Sequence, residues 1–241
     1  MGQARQGDSA RMSDTRTRLL DGALETLRTK GIAGVSARTI ASAAGVNQAL
    51  VFYHFGSVDD LLAAACTYGA QQRLATYAGR LDAVRSLPEL LVVGLELHQQ
   101  ERAEGNVTVL AQMLAGAQSE PRLAPATAQA LELWIAAIET VLRRVVAESP
   151  LGAILDVGGL ARSIAAAFIG FELYEGVDPA GAGEAMAAIA QLGVLIDVVD
   201  DLGPAARRVV RAKLRRMAPR AGLPSADRLK GAAHAAHETG A

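Results

Sequence analysis

The sequence contains few of the residues on which disulfide-linked or strand-rich proteins depend. Its 241 residues include a single cysteine, Cys66, so an intramolecular disulfide is excluded. Aromatic residues make up only 4% of the chain, and prolines number eight. The first residues lack the apolar core of a secretion signal, and we therefore expect a cytoplasmic protein.

Long uncharged hydrophobic runs are also missing. The two most apolar stretches, residues 161–173 and 185–199, are interrupted by charged side chains such as Arg162 and Asp197. A membrane-spanning helix needs about 18 or more consecutive residues that are predominantly apolar. Both stretches therefore predict buried helices, and we expect no membrane partner.

Motifs of the common enzyme classes do not occur in the sequence. It contains no G-x-S-x-G, no P-loop and no dinucleotide-binding G-x-G-x-x-G. Glu96, His98 and Glu101 are candidate metal ligands on one helix, but Glu96 and His98 are two positions apart and point to different faces. We therefore expect no enzyme, no cofactor and no metal site.

The charges are distributed unevenly, although the net charge of the chain is −1. Residues 1–56 carry seven basic and four acidic residues, net +3, and residues 203–241 carry nine and two, net +7. Residues 57–202 carry eight and nineteen, net −11. Because a basic segment can neutralise phosphates, any contact with nucleic acid should be terminal.

The chain is 51% hydrophobic, and its apolar residues, many of them alanine, recur with the period of a helix. This pattern predicts an all-α protein. Side chains that accept hydrogen bonds from backbone N–H groups predict where the first four helices begin: Ser13 or Asp14, Ser36, Asn47 and Ser57.

One segment, SARTIASAAGVNQALVFYHFGSVDDLL, has the pattern of a helix-turn-helix. A helix-turn-helix needs apolar contacts on both helices, a small residue where they cross and a turn residue that tolerates positive φ. The residues at these positions are Ile40, Ala41, Gly45, Val46 and Val51. An aromatic cluster at residues 52–55 and a new helix start at Ser57 follow.

Residues 15–62 resemble the DNA-binding domain of the TetR/AcrR family, whose third helix and following start commonly read G-V-S-x-G-x-L-Y-Y-H-F-G-S-K-E-D-L-L. The corresponding residues here read GVNQALVFYHFGSVDDLL. Three positions depart from the pattern, because Phe52 replaces a tyrosine, Val58 a lysine, and Gln48 a residue that is often basic. These departures imply fewer charged contacts per half-site, which Arg16 and Arg18, together with Lys30 and Arg38, would offset.

The pattern and the resemblance together predict the domain organisation. We expect a flexible arm over 1–12, a three-helix helix-turn-helix domain over 13–56, a larger helical ligand-binding and dimerisation domain over 57–217 and a disordered tail over 218–241.

The predicted DNA contacts follow from the placement of the recognition helix. Its N-terminal residues reach base edges, and glutamine or asparagine can pair with adenine. Three of the candidates have a second explanation. Asn47 can be a helix cap, Phe52 can pack in the core, and Arg38 can be a solvent-facing residue. The candidates are Arg38, Asn47, Gln48, Ala49, Phe52, Tyr53 and His54, the last two as phosphate contacts implied by the resemblance.

The resemblance also implies a homodimer formed by the last long helices and a ligand cavity among the middle helices. For the residues of both sets, packing within one chain is the competing explanation. The predicted dimer residues are Leu160, Ile164, Phe171, Ile189, Leu192, Leu195, Ile196 and Val199. The predicted ligand residues are Cys66, Leu95, His98, Leu110, Met113, Leu114, Trp134 and Phe168.

Two carboxylates, Glu172 and Glu175, interrupt an apolar helix. They are explained by recognition of a cation or amine, by exposure, or by a salt bridge to Arg162.

The function implied is that of a ligand-responsive transcriptional repressor. Such a protein binds a palindromic double-stranded DNA operator as a dimer and is released by a small apolar molecule. The alternative is a helical interaction protein, or an activator of the same fold, without ligand-induced release.

Overall fold

The computed structural model describes residues 2–147, 149, 155–200 and 202–217. Within that part of the chain there are ten α-helices, two short 3₁₀ turns and no strand, so the all-α prediction is confirmed. The predicted tail, 218–241, lies outside the described residues. The helices are α1 (Gly2–Lys30), α2 (Ala37–Ala44), α3 (Ala49–Phe55), α4 (Val58–Ala83), α5 (Leu87–Ala103), α6 (Asn106–Ser119), α7 (Ala124–Val146), α8 (Val157–Glu175), α9 (Pro179–Asp200) and α10 (Pro204–Met217).

The N-terminus differs from the sequence-based expectation. We expected a flexible arm over residues 1–12 and a helix that begins at Ser13 or Asp14, but α1 begins at Gly2. The added turns contain alanine, glutamine and arginine, which are good helix formers. Their helical propensity lets the backbone continue past the expected cap.

The supporting helix α2 begins and ends as its sequence predicts. The Ser36 hydroxyl accepts a hydrogen bond from the Thr39 N–H, and the Thr39 hydroxyl accepts one from the Ser36 N–H. At the other end, Gly45 has φ +63, a left-handed conformation that glycine adopts without strain. These two ends fix the length of α2 and the direction in which the chain enters the turn.

The recognition helix α3 is short and continues almost directly into α4. The Asn47 side chain accepts a hydrogen bond from the Ala49 N–H at 2.9 Å, so it caps the first turn. Ser57 caps α4 by accepting from the Asp60 N–H at 3.0 Å. Between the two helices the chain bends by 68° at Gly56 and Ser57.

The first three helices and the body of the protein share one apolar core. It contains buried residues of α1, α2 and α3, such as Leu19, Ile40 and Val51, together with Leu61 of α4 and Met113 of α6. A hydrogen bond from the Ile32 N–H to the Gln112 side-chain oxygen, 2.6 Å long, joins the same two parts. The domain boundary predicted after residue 56 therefore does not separate two hydrophobic cores.

The body is built by α4 to α9, with α4 packed along α7 and α5 along α9. Helix α8 packs against α7 and α9, and Ala161 and Ala165 lie on its buried face. By length and composition alone, α8 is the one described helix that is apolar enough to cross a membrane, and the bent pair α3–α4 passes the same test jointly. Only 11% of the apolar window of α8 is buried inside the chain.

Candidate DNA-binding surface and ligand cavity

The predicted DNA contacts lie together on the outer side of α2 and α3. Arg38, Gln48 and Ala49 are exposed. Phe52 and Tyr53 are 52% and 69% exposed, an unusual position for two aromatic rings. The exposure of Phe52 removes the core-packing explanation for that residue. His54 is half-buried and its ring lies edge-on to Tyr53, with 5.0 Å between the centroids.

Helix α1 holds the turn of the helix-turn-helix in place. The Arg18 guanidinium donates to the Ala44 and Gly45 carbonyl oxygens at 2.8 and 2.9 Å. A Cβ at Gly22 would lie 2.9 Å from the Ala44 nitrogen, so the close crossing of α1 and α2 requires glycine. No motif in the sequence predicts this role of Gly22.

Two arginines expected to contact phosphates are engaged within the chain. Arg18 binds the turn, and the Arg16 guanidinium lies over the Phe55 ring, 5.0 Å from its centroid. Both contacts place a positive charge beside the recognition helix. Arg16 and Arg18 therefore position that helix through direct packing, a role that the sequence-based expectation missed.

A cavity of about 1200 Å³ extends from the DNA-binding helices into the body. Residues of α1 and α2, including Gly22 and Ala44, form one end of its wall. Cys66 and Arg73 of α4 also line it, together with Leu, Ile, Phe and Met side chains of α5, α7, α8 and α9. One cavity therefore borders both the DNA-binding helices and the apolar interior of the body.

Six of the eight predicted ligand residues lie on the wall of this cavity: Cys66, Leu95, His98, Leu110, Trp134 and Phe168. The other two do not. Met113 is fully buried and packs in the core shared with α1 and α4, so its side chain points away from the cavity. Leu114 is half-buried one helical turn beyond Leu110.

Four residues predicted at the dimer surface also line the cavity: Leu160, Ile164, Phe171 and Ile189. Leu160 and Ile164 also pack against the buried cluster that contains Leu142 of α7. All four side chains are only half-buried, so their role at a dimer surface stays a prediction. The other four, Leu192, Leu195, Ile196 and Val199, belong to α9, but their side chains lie outside the described residues.

A buried carboxylate forms the centre of a polar cluster on the cavity wall. Glu101 is 4% exposed, accepts a hydrogen bond from the Tyr77 hydroxyl and lies 3.8 Å from the Arg73 guanidinium, which also pairs with Glu104. Burial raises the pKa of Glu101 above its ordinary value, and the contacts with Tyr77 and Arg73 oppose this rise. Burial also raises the pKa of the Tyr77 hydroxyl, and its hydrogen bond to Glu101 adds to the effect.

A second polar cluster joins α5 to α8. Nε2 of His98 lies 3.3 Å from a Glu175 carboxylate oxygen, and Arg102 pairs with that carboxylate and lies 4.0 Å from Glu172. The proposed salt bridge between these glutamates and Arg162 is wrong, since Arg162 pairs with Glu132.

The same cluster brings three metal-binding groups together. Candidate ligand atoms of His98, Glu172 and Glu175 lie within 4.8 Å of one another. Arg102, however, already supplies the positive charge that a metal ion would bring to these carboxylates. An ion-pair network therefore explains the cluster without a metal.

The single cysteine lies on the cavity wall as an apolar group. Cys66 is 7% exposed, and burial raises the pKa of its thiol to about 12. The thiol therefore stays protonated near neutral pH and does not act as a nucleophile, because the thiolate is the reactive form.

Residues 19–65 match the model of the bacterial regulatory proteins of the tetR family, a range that includes the helix-turn-helix and the start of α4. This part of the chain is a helix-turn-helix DNA-binding domain of the type found in TetR-family transcriptional regulators. No curated protein sequence matches the chain significantly.

Solved structures of transcriptional regulators share the fold of this chain. A TetR-family regulator from Rhodococcus sp. is 24% identical, with a TM-score of 0.63 over 78% of this chain and 98% of the other. A regulator from Saccharomonospora viridis in complex with choline is 22% identical, with a TM-score of 0.59 over 74% and 94%. FadR from Bacillus subtilis in complex with stearoyl-CoA is 16% identical, with a TM-score of 0.60 over 74% and 97%.

The buried charge of Glu101 leads to a testable pH dependence of the stability of this protein. Because the folded-state pKa of Glu101 is raised, its contribution to stability is complete below the unfolded-state pKa, near 4.3, and is lost as the pH rises through the folded-state value. Glu101→Gln keeps an acceptor for Tyr77 and removes the buried charge. We expect this variant to melt at a higher temperature than the wild type at pH 8, with a difference that shrinks towards pH 4.

The matched control is Glu96→Gln on the same helix, where the carboxylate is more than half exposed and pairs with Arg80. Its melting temperature should follow that of the wild type at both pH values, because exposed ion pairs contribute little. If Glu101→Gln melts lower than the wild type at pH 8, the attraction of Arg73 outweighs the cost of burial.

Proposed function

We propose that this protein is a dimeric repressor that binds a palindromic operator and is released by a small apolar molecule. The proposal rests on the extent of the cavity, which runs from the DNA-binding helices into the body of the protein. Its wall includes Gly22 of α1 and Ala44 of α2, as well as Cys66 on the helix that continues from the recognition helix. A molecule inside this cavity contacts the elements that position the DNA-binding surface.

The apolar character of the wall supports the ligand class. Leu, Ile and Phe side chains dominate the end of the cavity formed by α5, α7 and α8, so an apolar molecule gains free energy by leaving water there. Two structures of the same fold contain choline and stearoyl-CoA. The fold therefore accommodates small molecules of different chemistry, and the wall of each chain selects among them.

The outer face of α8 and α9 supports the dimer. The exposed apolar side chains at this face and just after α8 include Leu173, Val177, Val194 and Val198, each at least 58% exposed. Ala166 and Gly170 continue the face along α8. Since apolar patches of this extent are costly in water, a second copy packed face to face would bury them.

A dimer also meets the requirement for a specific DNA site. Two recognition helices must lie about one turn of DNA apart, roughly 34–36 Å, or at a multiple of it, to reach successive half-sites. A small rotation between the two subunits then weakens both half-sites together. This geometry makes release by a ligand possible without unfolding.

The dimer face leads to a prediction about oligomeric state. Val194→Asp places a charge on the outer face of α9 and should turn the dimer into a monomer, as measured by analytical ultracentrifugation. The control Met12→Asp changes an equally accessible apolar residue on α1 and should leave the dimer intact. A Val194→Asp protein that remains dimeric would place the interface elsewhere.

The exposed residues of α3 lead to a prediction about sequence readout. Gln48→Ala should cost about 1–3 kcal/mol on the preferred operator and relax preference at one base pair, since Gln48 can pair with a base edge. Tyr53→Ala should weaken binding to all sequences alike, because phosphate contacts carry no sequence information. Binding is measured on the protected palindrome found by footprinting upstream of the protein's own gene. A uniform loss from both substitutions would contradict the assignment.

The shared cavity leads to a prediction about coupling. Ligand and operator should weaken each other's binding by the same factor, about 5- to 150-fold, because linkage is reciprocal. The ligand is the molecule that co-purifies with the protein, identified by native mass spectrometry. Calorimetry with and without operator gives both affinities. Equal affinities in the two titrations would show that the cavity does not regulate DNA binding.

A further inference from the structure

The turn that joins α1 to the supporting helix α2 contains no fully buried residue. It is a single 3₁₀ turn, Ile32–Gly34, and Ile32 within it is half-buried against the shared core. Two backbone hydrogen bonds close the turn, from the Gly34 N–H to the Gly31 oxygen at 3.1 Å and from the Val35 N–H to the Ile32 oxygen at 3.2 Å. The turn is therefore a stiff unit whose position relative to the body depends on contacts from outside it.

The Gln112 side chain of α6 supplies such a contact. Its Oε1 accepts a hydrogen bond from the Ile32 N–H at 2.6 Å, across 80 positions of the sequence. A Cβ at Gly31 would lie 2.8 Å from this oxygen, so glycine permits the close approach. The Ile32 side chain also lies against α6, because a Cβ at Gly116 would lie 3.4 Å from Ile32 Cγ1. Helix α6 therefore holds the turn by one hydrogen bond and one apolar contact.

Helix α6 is a rigid support for this hydrogen bond. Val109 and Met113, which flank Gln112 on α6, are buried in the core that also contains Leu19 of α1 and Leu61 of α4. Apolar packing is not directional, whereas a hydrogen bond weakens steeply when its angle changes. The Gln112 bond therefore opposes a rotation of the turn against α6 that apolar contacts alone would tolerate.

The turn passes this constraint on to α2. The Thr39 hydroxyl of α2 lies 3.0 Å from the Gly34 carbonyl oxygen, and it also accepts from the Ser36 N–H at 2.9 Å. Among the described helices, α2 packs along α1 and meets α3, and it packs along no helix of the body. The turn is therefore the direct connection between α2 and α6, and the orientation of the helix-turn-helix depends on it.

We propose that Gln112 is a positioning residue for DNA binding: it sets the angle of the helix-turn-helix against the body, and so the half-site spacing that a dimer accepts. Gln112 lies outside the predicted DNA contacts and acts through the turn and α2. The inference rests on the proposed function, because a preferred spacing requires two copies of the chain on two half-sites.

A change in half-site spacing challenges this angle directly. One inserted base pair moves the two half-sites about 3.4 Å further apart and rotates one by about 35° relative to the other. A dimer that follows this change has to turn each helix-turn-helix against its body, and the bond between Ile32 and Gln112 opposes that movement. Without the bond, the penalty for the wrong spacing falls. The cost of deforming the DNA is the same for every protein variant and cancels in the comparison.

The test measures the affinity of the full-length protein for two duplexes: the palindrome protected upstream of its own gene, and the same palindrome with one base pair inserted at its centre. We expect the wild type to prefer the native spacing. Gln112→Leu keeps the approximate size of the side chain and removes the acceptor. Its preference for the native spacing should be about two- to tenfold weaker, the range that one net hydrogen bond provides. Gln112→Glu keeps an acceptor oxygen for the Ile32 N–H and should retain the wild-type preference.

The matched control is Gln118→Leu, the same substitution at an exposed position of α6, which should behave as the wild type. Melting curves establish that each variant is folded. Should Gln112→Leu not fold, Gln112→Asn takes its place, because a side chain one methylene shorter withdraws the acceptor from the Ile32 N–H.

The outcomes separate the inference from the function on which it rests. If the wild type binds both duplexes equally, the proposed function of a dimer on two half-sites fails, and the inference fails with it. If the wild type prefers the native spacing and the folded variant without the acceptor loses affinity for both duplexes alike, or loses none, the function stands and the inference is overturned. A preference that weakens as much in Gln112→Glu as in Gln112→Leu also overturns it.

Discussion

The packing of α4 against α1 is the contact on which the rest of the structure depends. Leu61 and Ala65 of α4 are fully buried in the same core as Leu19 and Leu27 of α1. Fully burying one such leucine contributes about 1.5–3 kcal/mol, so this core is strong relative to the free energies that regulate DNA binding. The DNA-binding helices therefore cannot move independently of α4.

The cavity borders this core along α1 and α4. Gly69 and Ala70 of α4 lie on its wall, and a Cβ at Gly69 would approach Leu24 to 3.1 Å, so glycine permits the close contact with α1 there. On the far side, α5 and α8 complete the wall with larger apolar residues. The polar clusters at Glu101 and His98 interrupt this apolar wall.

Much of the fold could be predicted because its signals are local. The caps at Ser36 and Ser57 and the left-handed turn at Gly45 depend on neighbouring residues alone, and all three are present in the structure. Local patterns of this kind are read directly from sequence.

The rest depends on which helices meet, and a single sequence does not contain that information. The partnership of His98 with Glu175 spans 77 positions, and that of Arg162 with Glu132 depends on the register of α8 against α7. For the same reason the sequence does not determine whether the stripe containing Ile164 contacts its own chain or a partner subunit, and in the structure Ile164 is half-buried beside the cavity. An apolar stripe indicates that a helix face is covered, but it does not indicate which helix or subunit covers it.

The joint between α3 and α4 determines how a change in the cavity would reach DNA in the proposed mechanism. Gly56, with φ +79, allows the bend between the helices, and Val51 and Leu61 on either side of it are buried in one core. Opening that core would cost more than the 1–3 kcal/mol typical of coupling between two sites. A displacement of α4 is therefore transmitted by rotation of the whole helix-turn-helix. Because Arg18 holds the turn from α1, the recognition helix rotates together with α1 and does not separate from it.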